Sequence, residues 1–442
     1  MFRWKCLSLK LYIIVIICLY IAIWIFSNIV GRVRKPLIDV ESPDEVIFRD
    51  VAESQPNVPK REALDDYSHH SQLSDCWGER QEENYKFTRI LSDFYIFSAF
   101  YDNRTKPLIR LISLNRITVH PKLYCVFRYN DNSYESKTDY YEMCENHRRT
   151  FGGHILSCTI PRELNHLGIP CTVELTTLEG NRERLNVQFS QNSNRKGKFG
   201  ICIPPLFNDF QYVKFIEFIE LNRILGANTF YIYFTETYEE NLVKILKYYK
   251  RENIVKLIPW KLPEDISNRV WYHGQSIAIH DCLYRFMFSV EYLIFQDLDE
   301  FIIPTQLHKW SHLLEKLDNN HIDGFCFECF YFQQKAAYTT DTLWSLTFKQ
   351  RTVKGTRQLS KCLVKSDRIF EMGIHHISKF IKNTSLVLNV HKNDGRLFHF
   401  RKCKGMFGDI CYRNVEDTIL EDKYSVKMIE NVNLVFEANG FQ

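Results

Sequence analysis

The sequence lacks any long block of basic residues, although 57 lysines and arginines against 53 aspartates and glutamates give a net charge of +4. Proteins that bind nucleic acid commonly carry such a block, so the charge pattern gives no support to a nucleic-acid partner. A second C-x-x-C pair is also missing, because Cys326 and Cys329 form the only one. A zinc ribbon needs two such pairs, and the sequence therefore disfavours that fold.

Charged residues are likewise absent from residues 11–30, a run of twenty residues that is almost wholly apolar. At about 1.5 Å of rise per residue, a helix of this length crosses the hydrocarbon core of a bilayer. The alternative is a cleaved signal peptide, whose apolar region is normally shorter and ends at small residues, which are missing here. We therefore predict a cytoplasmic tail over 1–10 and a retained transmembrane signal-anchor over 11–30.

The cysteines decide the orientation, because three basic residues stand on each side of the apolar run and balance one another. Twelve of the fourteen cysteines follow residue 75. An even dozen in a body of this size indicates disulfides and an oxidising compartment. Two N-glycosylation sequons, which begin at Asn103 and Asn383, fit the same compartment. We expect a single-pass type II protein whose body lies in the secretory lumen.

Two regions of different composition follow the apolar run. Residues 31–75 are polar and acidic, contain four prolines and show little periodicity, which predicts an extended stem. Residues 76–198 contain short alternating runs bounded by turn residues, without a long helical period. They predict a β-rich accessory domain, with a sandwich as one possible form. The clearest predicted strands are 94–101, 123–129, 154–160 and 172–177.

From residue 199 to 442 the sequence predicts a catalytic α/β domain, because helical and strand patterns alternate with short links. Asn208 and Gln211 have the spacing of a capping box and predict a helix that Gly226 closes. Further strands are predicted at 229–234 and 254–258, and further helices at 239–250 and 275–288. The pattern is that of a parallel, doubly wound sheet, whose strands end together at one crevice.

The stretch 292–304 is the centre of that domain. An apolar run suited to a buried strand stops at Asp297, Asp299 and Glu300, and apolar residues then resume until Pro304. Burying unpaired carboxylates is costly, and Asp-x-Asp suits a hard divalent cation such as Mg²⁺ or Mn²⁺. A solvated acidic turn is the alternative for an isolated Asp-x-Asp, but the apolar residues on both sides favour a site for a metal and a diphosphate.

Histidines and acidic residues later in the chain supply further candidates. Neutral imidazole completes metal sites of this kind, and His399 is the favoured ligand over His375 and His376. For each histidine the alternative is a packed core residue. If the metal neutralises the diphosphate of UDP, a carboxylate across the crevice must take the proton of the attacking hydroxyl. Glu328 and Asp341 are both candidates for this base, and the sequence does not choose between them.

Several short motifs occur in a fixed order between residues 208 and 401. They are Phe-Tyr-Ile-Tyr at 230–233, Asp-Cys-Leu-Tyr-Arg at 281–285, Phe-Gln-Asp-Leu-Asp-Glu-Phe at 295–301, Lys-Cys-Leu-Val at 361–364, Met-Gly-Ile-His-His at 372–376 and His-Phe-Arg at 399–401. As a set they resemble glycosyltransferase family 92, over a little under half of the chain. The family commonly reads Ile-Asp-Ile-Asp-Glu-Phe, so Gln296 and Leu298 are mild departures that leave the carboxylates intact.

The resemblance implies a GT-A fold, with a Rossmann-like mixed sheet and flanking helices, and a Mn²⁺-dependent transfer that inverts the anomeric carbon. It also implies UDP-galactose as the donor and a glycan or glycoprotein as the acceptor, since relatives add galactose to glycans, including the core fucose of N-glycans. In this comparison Asp297 and Asp299 become the metal–nucleotide pair. Tyr233, Gln275 and Asp281 lie in or beside matching motifs and are expected to bind the UDP-sugar. The anchor and stem then indicate a Golgi membrane enzyme.

Two other functions fit part of the sequence. A phosphatase of the haloacid-dehalogenase type has Asp-x-Asp-x-Thr after a strand, but Phe301 stands where the threonine is needed and the motif normally opens the domain. A lumenal glycan-binding protein that kept the fold without activity is the second. Loss of Asp297 or Asp299 would have indicated it, and both are present.

Overall fold

The computed structural model describes residues 85–129, 132–189, 197–206, 211–235, 239–318, 321–333, 343–401, 404–405, 408–409 and 413–441. The predicted tail, signal-anchor and stem lie outside these residues. None of the helices in the described ranges combines the length and the apolarity needed to cross a membrane. The described residues all belong to one compact unit that spans Ser68–Gln442. The division into accessory and catalytic domains stays a prediction.

Nine strands of the first part of the chain form one sheet, in the order β5-β4-β8-β9-β2-β3-β7-β6 with β1 beside β2. The strand at Thr172–Thr177 alternates in burial along the chain, whereas those at Phe94–Asp102 and Leu108–Arg116 are buried on both faces. The strands are β1 (Thr88–Leu91), β2 (Phe94–Asp102), β3 (Leu108–Arg116), β4 (Leu123–Tyr129), β5 (Asn132–Lys137), β6 (Asp139–Glu142), β7 (Phe151–Thr159), β8 (Thr172–Thr177) and β9 (Arg182–Gln188).

This first sheet curls until its two ends face each other. A disulfide joins Cys125 of β4 to Cys158 of β7, with 6.1 Å between the Cα atoms. In a flat sheet these strands, five places apart, would be separated by about 24 Å. Buried side chains such as Phe127 and Leu111 fill the space between the facing parts. The strands of the predicted sandwich are therefore present, but hydrogen bonds connect them into a single sheet.

A second sheet of eleven strands dominates the rest of the chain, with two further pairs of short strands, β18–β19 and β22–β23. The strands are β10 (Gly197–Ile203), β11 (Thr229–Phe234), β12 (Val255–Pro259), β13 (Val290–Phe295), β14 (Glu300–Pro304), β15 (Ile322–Gln333), β16 (Gln350–Thr352), β17 (Thr356–Lys365), β18 (Ile369–Met372), β19 (Ile377–Phe380), β20 (Leu386–Asn389), β21 (Gly395–Arg401), β22 (Lys404–Gly405), β23 (Gly408–Asp409) and β24 (Asn414–Glu416). The α-helices are α1 (Tyr212–Leu225), α2 (Glu240–Arg251), α3 (Gln275–Phe286), α4 (Trp310–Leu317), α5 (Trp344–Thr347) and α6 (Ile419–Asn439).

The second sheet is mixed, so the prediction of an α/β fold with a mixed sheet is confirmed, while a wholly parallel sheet is wrong. Strands β12, β11, β10 and β13 are parallel neighbours, joined through α1, α2 and α3. Beyond β13 the next strand is β17, which runs antiparallel, as does β17 against β15. Crossover segments that contain α1, α2 and α3 connect the four parallel strands, and later in the chain β15 also pairs in parallel with β20 and β21.

The two faces of the second sheet have different partners. One face packs against α1, α2 and α6. The other face of the second sheet packs against α3. The opposite side of α3 packs against Tyr95, Phe97 and Ile112 of the first sheet. Helix α3 is therefore enclosed between the two sheets, which explains why all twelve of its residues are buried.

The predicted capping box at the start of α1 is wrong. The helix begins at Tyr212, and its cap residue is Gln211, which makes no side-chain capping bond. Asn208, the predicted cap, lies outside the described residues. The other end agrees with the sequence, because Gly226 closes the helix with a φ of 123°, which favours glycine.

Candidate functional site

The acidic turn that follows β13 is held by its own backbone and by its neighbours. The Gln296 N–H donates to the carbonyl of Cys202 on β10 over 3.3 Å. The Asp297 N–H donates to Glu300 Oε2 over 3.1 Å, and the Glu300 N–H donates back to the carbonyl of Asp297 over 3.2 Å. The turn is thus fixed at the carboxyl end of a parallel strand, where α/β sheets place their ligands.

The three carboxylates of the turn differ in exposure. The side chains of Asp297 and Asp299 are 33% and 43% exposed, whereas that of Glu300 is fully buried. Only the two aspartates can therefore meet a ligand. Glu300 faces inward from the first residue of β14, where it organises the groups behind the turn.

Lys361, which no sequence argument assigned to the site, neutralises the turn from behind. Its ammonium lies 3.2 Å from Asp297 Oδ2 and 3.1 Å from Glu300 Oε2, and the side chain is 2% exposed. Burial opposes the charge of this lysine, but the two carboxylates outweigh burial and raise the pKa of Lys361 above its usual range. Burial also raises the pKa of Glu300 to about 7, although Lys361 opposes this rise.

His399 closes the other side of the acidic turn, as the sequence predicted for a ligand. It lies directly opposite Glu300 in the pairing of β14 with β21. Its Nε2 is 3.3 Å from Asp299 Oδ2, and its Nδ1 is 3.5 Å from Glu300 Oε1. Burial lowers the pKa of His399, but hydrogen bonds to Asp299 and Cys329 outweigh burial and raise it well above its usual range. Burial likewise opposes ionisation of Asp299, whose pKa His399 nevertheless holds below its usual value.

Asp299 and His399 supply two potential ligand atoms for the predicted divalent metal. Neighbouring ligands of an octahedral ion with bonds of about 2.1 Å lie about 3 Å apart. Asp299 Oδ2 and His399 Nε2 already have nearly this separation, and carboxylate and imidazole suit Mn²⁺. No cluster of three or more potential ligands converges among the described residues, since Asp297 instead contacts Lys361. The residues fit a metal held by Asp299 and His399, with Asp297 beside it.

Among Tyr233, Gln275 and Asp281, which were predicted to bind the UDP-sugar, Gln275 is the residue that lies at the acidic turn. It begins helix α3, and its side-chain amide lies 3.4 Å from Asp297 Oδ1. The Gln275 N–H is already bonded to the carbonyl of Tyr272, so the start of this helix contributes the Gln275 side chain to the site.

Tyr233 and Asp281 occupy a different place, in the interior between the sheets. The Tyr233 hydroxyl donates to Asp281, which also accepts from Ser98 Oγ over 2.6 Å and pairs with Arg285 over 2.8 Å. Both side chains are fully buried. The structure therefore shows Tyr233 and Asp281 joining α3 to both sheets and does not present them to a ligand at the turn.

Neither predicted base is seen beside the acidic turn. Glu328 lies next to Gly355, and its charge acts on Arg396 of β21. Arg396 and His399 are three positions apart on that strand and so point to opposite faces. Glu328 is thus on the face away from the carboxylates. Asp341 lies outside the described residues.

Two more charged or titratable groups, His375 and Arg401, lie near the turn. His375, predicted only as a weaker ligand, stands within electrostatic reach of Lys361 and His399, and its Nδ1 has no hydrogen-bond partner within the described part of the chain. Burial first, and these positive charges second, lower the pKa of His375 to about 3. Arg401, at the end of β21, adds a cation on the same side. Arg401 stands in a motif that was noted, but spacing along the chain gave it no role.

Two disulfides lie next to the site. One joins Cys202 of β10, which accepts a hydrogen bond from the turn, to Cys282 of α3. The other joins Cys326 of β15 to Cys362, the residue after Lys361. The predicted disulfides are therefore present, and these two hold the strands and the helix that supply the site residues.

Comparison with known proteins gives a consistent result. Residues 197–436 match glycosyltransferase family 92. The beta-1,4-galactosyltransferase galt-1 of Caenorhabditis elegans is 26% identical over 338 residues, which cover 72% of this chain and 76% of that protein. A glycosyltransferase family 92 protein of the same organism is 24% identical over 322 residues, covering 66% of this chain and 60% of the relative. A galactan beta-1,4-galactosyltransferase of Arabidopsis thaliana is 24% identical over 157 residues, which cover 31% of this chain and 30% of that protein.

Proposed function

Because the chain belongs to glycosyltransferase family 92, as its motifs predicted, we propose that it is an inverting galactosyltransferase of GT-A type. In this proposal it moves galactose from UDP-galactose to a glycan acceptor. The family makes the chain a glycosyltransferase. The choice of galactose is supported by the names of two relatives, a beta-1,4-galactosyltransferase and a galactan beta-1,4-galactosyltransferase. The core fucose of N-glycans is one acceptor consistent with the resemblance.

The observation that carries the proposal is the pairing of Asp299 with His399 at the carboxyl end of a parallel strand. Their 3.3 Å contact brings an oxygen and a nitrogen ligand together on a turn that is 43% exposed at Asp299. A purely structural ion pair would gain nothing from such exposure, because solvent screens it. An exposed carboxylate beside a buried imidazole is what a bound cation requires.

The proposed cofactor is Mn²⁺ or another divalent cation, with Asp299 and His399 as its ligands and Asp297 contacting it directly or through water. Such a cation neutralises the diphosphate and so stabilises UDP as a leaving group. Lys361 keeps Asp297 in place from behind, and Gln275 orients it from the start of α3. Arg401 supplies a further positive charge on the side from which a diphosphate approaches.

Inversion requires a base on the acceptor side, which accepts the hydroxyl proton as the oxygen attacks the anomeric carbon. Glu328 lies on the far face of its strand, and this position disfavours it. Asp341 remains the proposed base among the residues that the sequence suggested. It lies in the segment 334–342, directly before α5.

The proposed location is the Golgi membrane, with the catalytic body in the lumen. The uncharged run at 11–30, the stem and the disulfides support this placement. The alternative function is a catalytically silent glycan-binding protein of the same fold, which would bind nucleotide or glycan without turnover. Exposure of both Asp297 and Asp299 favours the enzyme.

The test uses the full chain, made in cells that form disulfides. Release of UDP from a panel of UDP-sugars is measured with Mn²⁺, with chelator, and after Asp299→Asn. We expect turnover of UDP-galactose that needs the metal and disappears in the variant. Asp139→Asn, at an exposed position of β6 in the first sheet, is the matched control and should keep full activity. Metal-dependent binding without turnover over a broad acceptor panel would support the glycan-binding alternative, and no metal-dependent nucleotide binding at all would refute the proposal.

A further inference from the structure

Strained backbone is concentrated in two short segments of the structure. Five non-glycine residues in the described ranges have a positive φ, and four of them form the pairs His147–Arg148 and Tyr272–His273. Side chains of this size rarely adopt the left-handed conformation, because Cβ crowds the backbone carbonyl. Such strain persists only where the surrounding structure imposes it, and it is frequently found at functional sites.

The two strained segments contact each other, although they come from different sheets. The ring of His147, from the loop between β6 and β7, lies 4.3 Å from the ring of Trp271, measured between centroids. The Arg149 guanidinium lies over the same Trp271 ring at 5.3 Å. Phe151 also forms a single β-bridge with Val270. The first sheet therefore fixes the position of the segment 270–274.

The backbone of that segment is held from the other side as well. Trp260 Nε1 donates to the carbonyl of His273 over 2.9 Å. Gly274 has a φ of 77°, and a Cβ placed there would lie 3.1 Å from the Trp260 ring. The segment then runs directly into Gln275, whose amide contacts Asp297. These contacts leave the Tyr272 side chain with 49% of its surface exposed, and His273 beside it is exposed as well.

Tyr272 lies three residues before Gln275, whose side-chain amide contacts Asp297 of the acidic turn. Burial is the main cause that raises the pKa of its hydroxyl, and the charges of Asp297 and Asp299 raise it further. The charges of Arg401 and Lys361 act on the same hydroxyl in the opposite direction. The ring is therefore a half-exposed aromatic surface in the immediate surroundings of the proposed metal and diphosphate.

We propose that the ring of Tyr272 is a binding platform for a pyranose ring of the sugar substrate, positioned by the loop 147–149 of the first sheet. This inference rests on the proposed glycosyltransferase function. The face of an aromatic ring is electronegative and apolar, and it suits the C–H face of a sugar. The pyranose is that of the donor or of the acceptor.

The first sheet thereby takes part in positioning the sugar substrate. His147 and Arg149 touch Trp271 and not the substrate, so they act as positioning residues. Their role explains why the backbone of both segments is strained, since a relaxed segment would carry Tyr272 to another position.

The test compares Tyr272→Ala, Tyr272→Phe and Tyr272→Gly in the full chain, with KM measured separately for donor and acceptor. Loss of the ring should raise one KM on the order of tenfold, while Tyr272→Phe stays close to the wild type. Glycine relaxes the left-handed backbone, so Tyr272→Gly should unfold at the same or a higher temperature than the wild type and still show the raised KM. A residue with only a structural role would lose stability and activity together.

The two sources of the sugar give different results. A raised KM for UDP-galactose, together with slower hydrolysis of the donor in the absence of acceptor, assigns the platform to the donor. A raised KM for the acceptor alone assigns it to the acceptor. Unchanged KM values in both Tyr272→Ala and Tyr272→Gly would overturn the inference.

Failure of the proposed function is recognised separately. If the wild-type chain turns over no UDP-sugar, binding of UDP-galactose and of a panel of free oligosaccharides is measured on wild type and Tyr272→Ala, which needs no turnover. Weaker binding by the variant would support the platform in a non-catalytic protein, and equal binding would refute it. His147→Ala should reproduce the Tyr272→Ala defect in part, because it releases Trp271 and leaves the platform itself intact.

Discussion

Lys361 Nζ lies 3.2 Å from Asp297 Oδ2, and this contact joins two strands that run in opposite directions. Asp297 follows the carboxyl end of β13, whereas Lys361 lies within β17, which is antiparallel to β13. The reversal of strand direction next to β13 thus brings a buried cation to the edge where the acidic turn is exposed. A parallel strand in that place would present the opposite end of its sequence to the turn.

Replacing Lys361 by methionine should destabilise the protein by about 3–5 kcal/mol, because Glu300 would be left as a buried carboxylate without its cation. Denaturant unfolding measures the loss. Lys365→Met, four residues further along β17, is the matched control, since Lys365 and its partner Asp318 keep 20% and 18% of their side chains exposed, whereas Lys361 and Glu300 keep 2% and 0%. It should cost about 1 kcal/mol or less. The double variant Lys361→Met with Glu300→Gln should recover part of the loss, and equal instability of the single and double variants would contradict the pairing.

Removal of the Cys326–Cys362 disulfide should lower both stability and activity. The bond joins residues 36 positions apart and lies next to Lys361, so its loss frees the strand that neutralises the turn. We expect Cys326→Ala with Cys362→Ala to cost about 2–4 kcal/mol, measured by thermal unfolding. The same double replacement at Cys125 and Cys158, in the first sheet, should cost comparable stability while UDP release by the folded fraction stays near the wild-type level. Equal loss of activity in both double variants would show that position near the site is irrelevant.

Stability should depend on pH through Glu217, a fully buried residue of α1. Its carboxylate accepts hydrogen bonds from the N–H groups of Trp344 and Ser345, over 2.9 and 3.1 Å, and from Ser345 Oγ over 2.8 Å. Burial raises the pKa of Glu217 from 4.5 to about 7, although these bonds oppose the rise. The folded state therefore binds the proton of Glu217 more tightly than the unfolded state does. The stabilisation that comes from this proton is lost as the pH rises from 4.5 through 7.

The measurement is the free energy of unfolding of wild type and Glu217→Gln at several pH values between 5 and 8. The difference between the two proteins should change by on the order of 3 kcal/mol over this interval, in the direction of a wild type that weakens as pH rises. Glutamine also brings an N–H group toward two N–H donors, so the variant is expected to be less stable at low pH. A difference that stays constant with pH would contradict the raised pKa.

Both sequons should carry N-glycans if the body is lumenal. Asn103 lies in the exposed turn between β2 and β3, and Asn383 is exposed before β20. Endoglycosidase treatment of the chain from a secretory host should remove two glycans, and Asn103→Gln or Asn383→Gln should each remove one. Within the first sequon, Thr105→Ser should keep the glycan and Thr105→Ala should abolish it. A wild-type chain with no endoglycosidase-sensitive mass would count against the lumenal orientation.

Local patterns predicted much of the secondary structure. The strands at 123–129, 172–177 and 229–234 have the predicted bounds, because alternation or an apolar run reports directly on burial. The predicted start of α3 at Gln275 is confirmed. The sequence also singled out Asp299 and His399, because carboxylates at the end of a buried strand and a late histidine are visible chemical signals. The structure places the two side chains 3.3 Å apart, and their role as metal ligands stays a prediction.

Contacts across the sheet could not be obtained in this way. Lys361 stood in a noted motif, but its contact with Asp297 depends on an antiparallel pairing that no local pattern encodes. Tyr233 and Asp281 illustrate the reverse error, because a motif does not distinguish a residue that binds substrate from one that joins two sheets. Glu328 was a candidate base in the sequence, but the face of the strand on which it lies could not be predicted. A bulge in the pairing of β15 with β17 sets that face.

The site also has a consequence for synthesis of the chain. Asp297 and Asp299 leave the ribosome well before Lys361 and His399, which neutralise the acidic turn from strands that are translated later. A nascent chain that ends before Lys361 therefore carries the acidic turn without these two cations, and β14 lacks its partner β21. If the acidic turn binds the UDP-sugar as proposed, donor binding requires translation past His399, and nucleotide affinity would then separate mature protein from truncated chains.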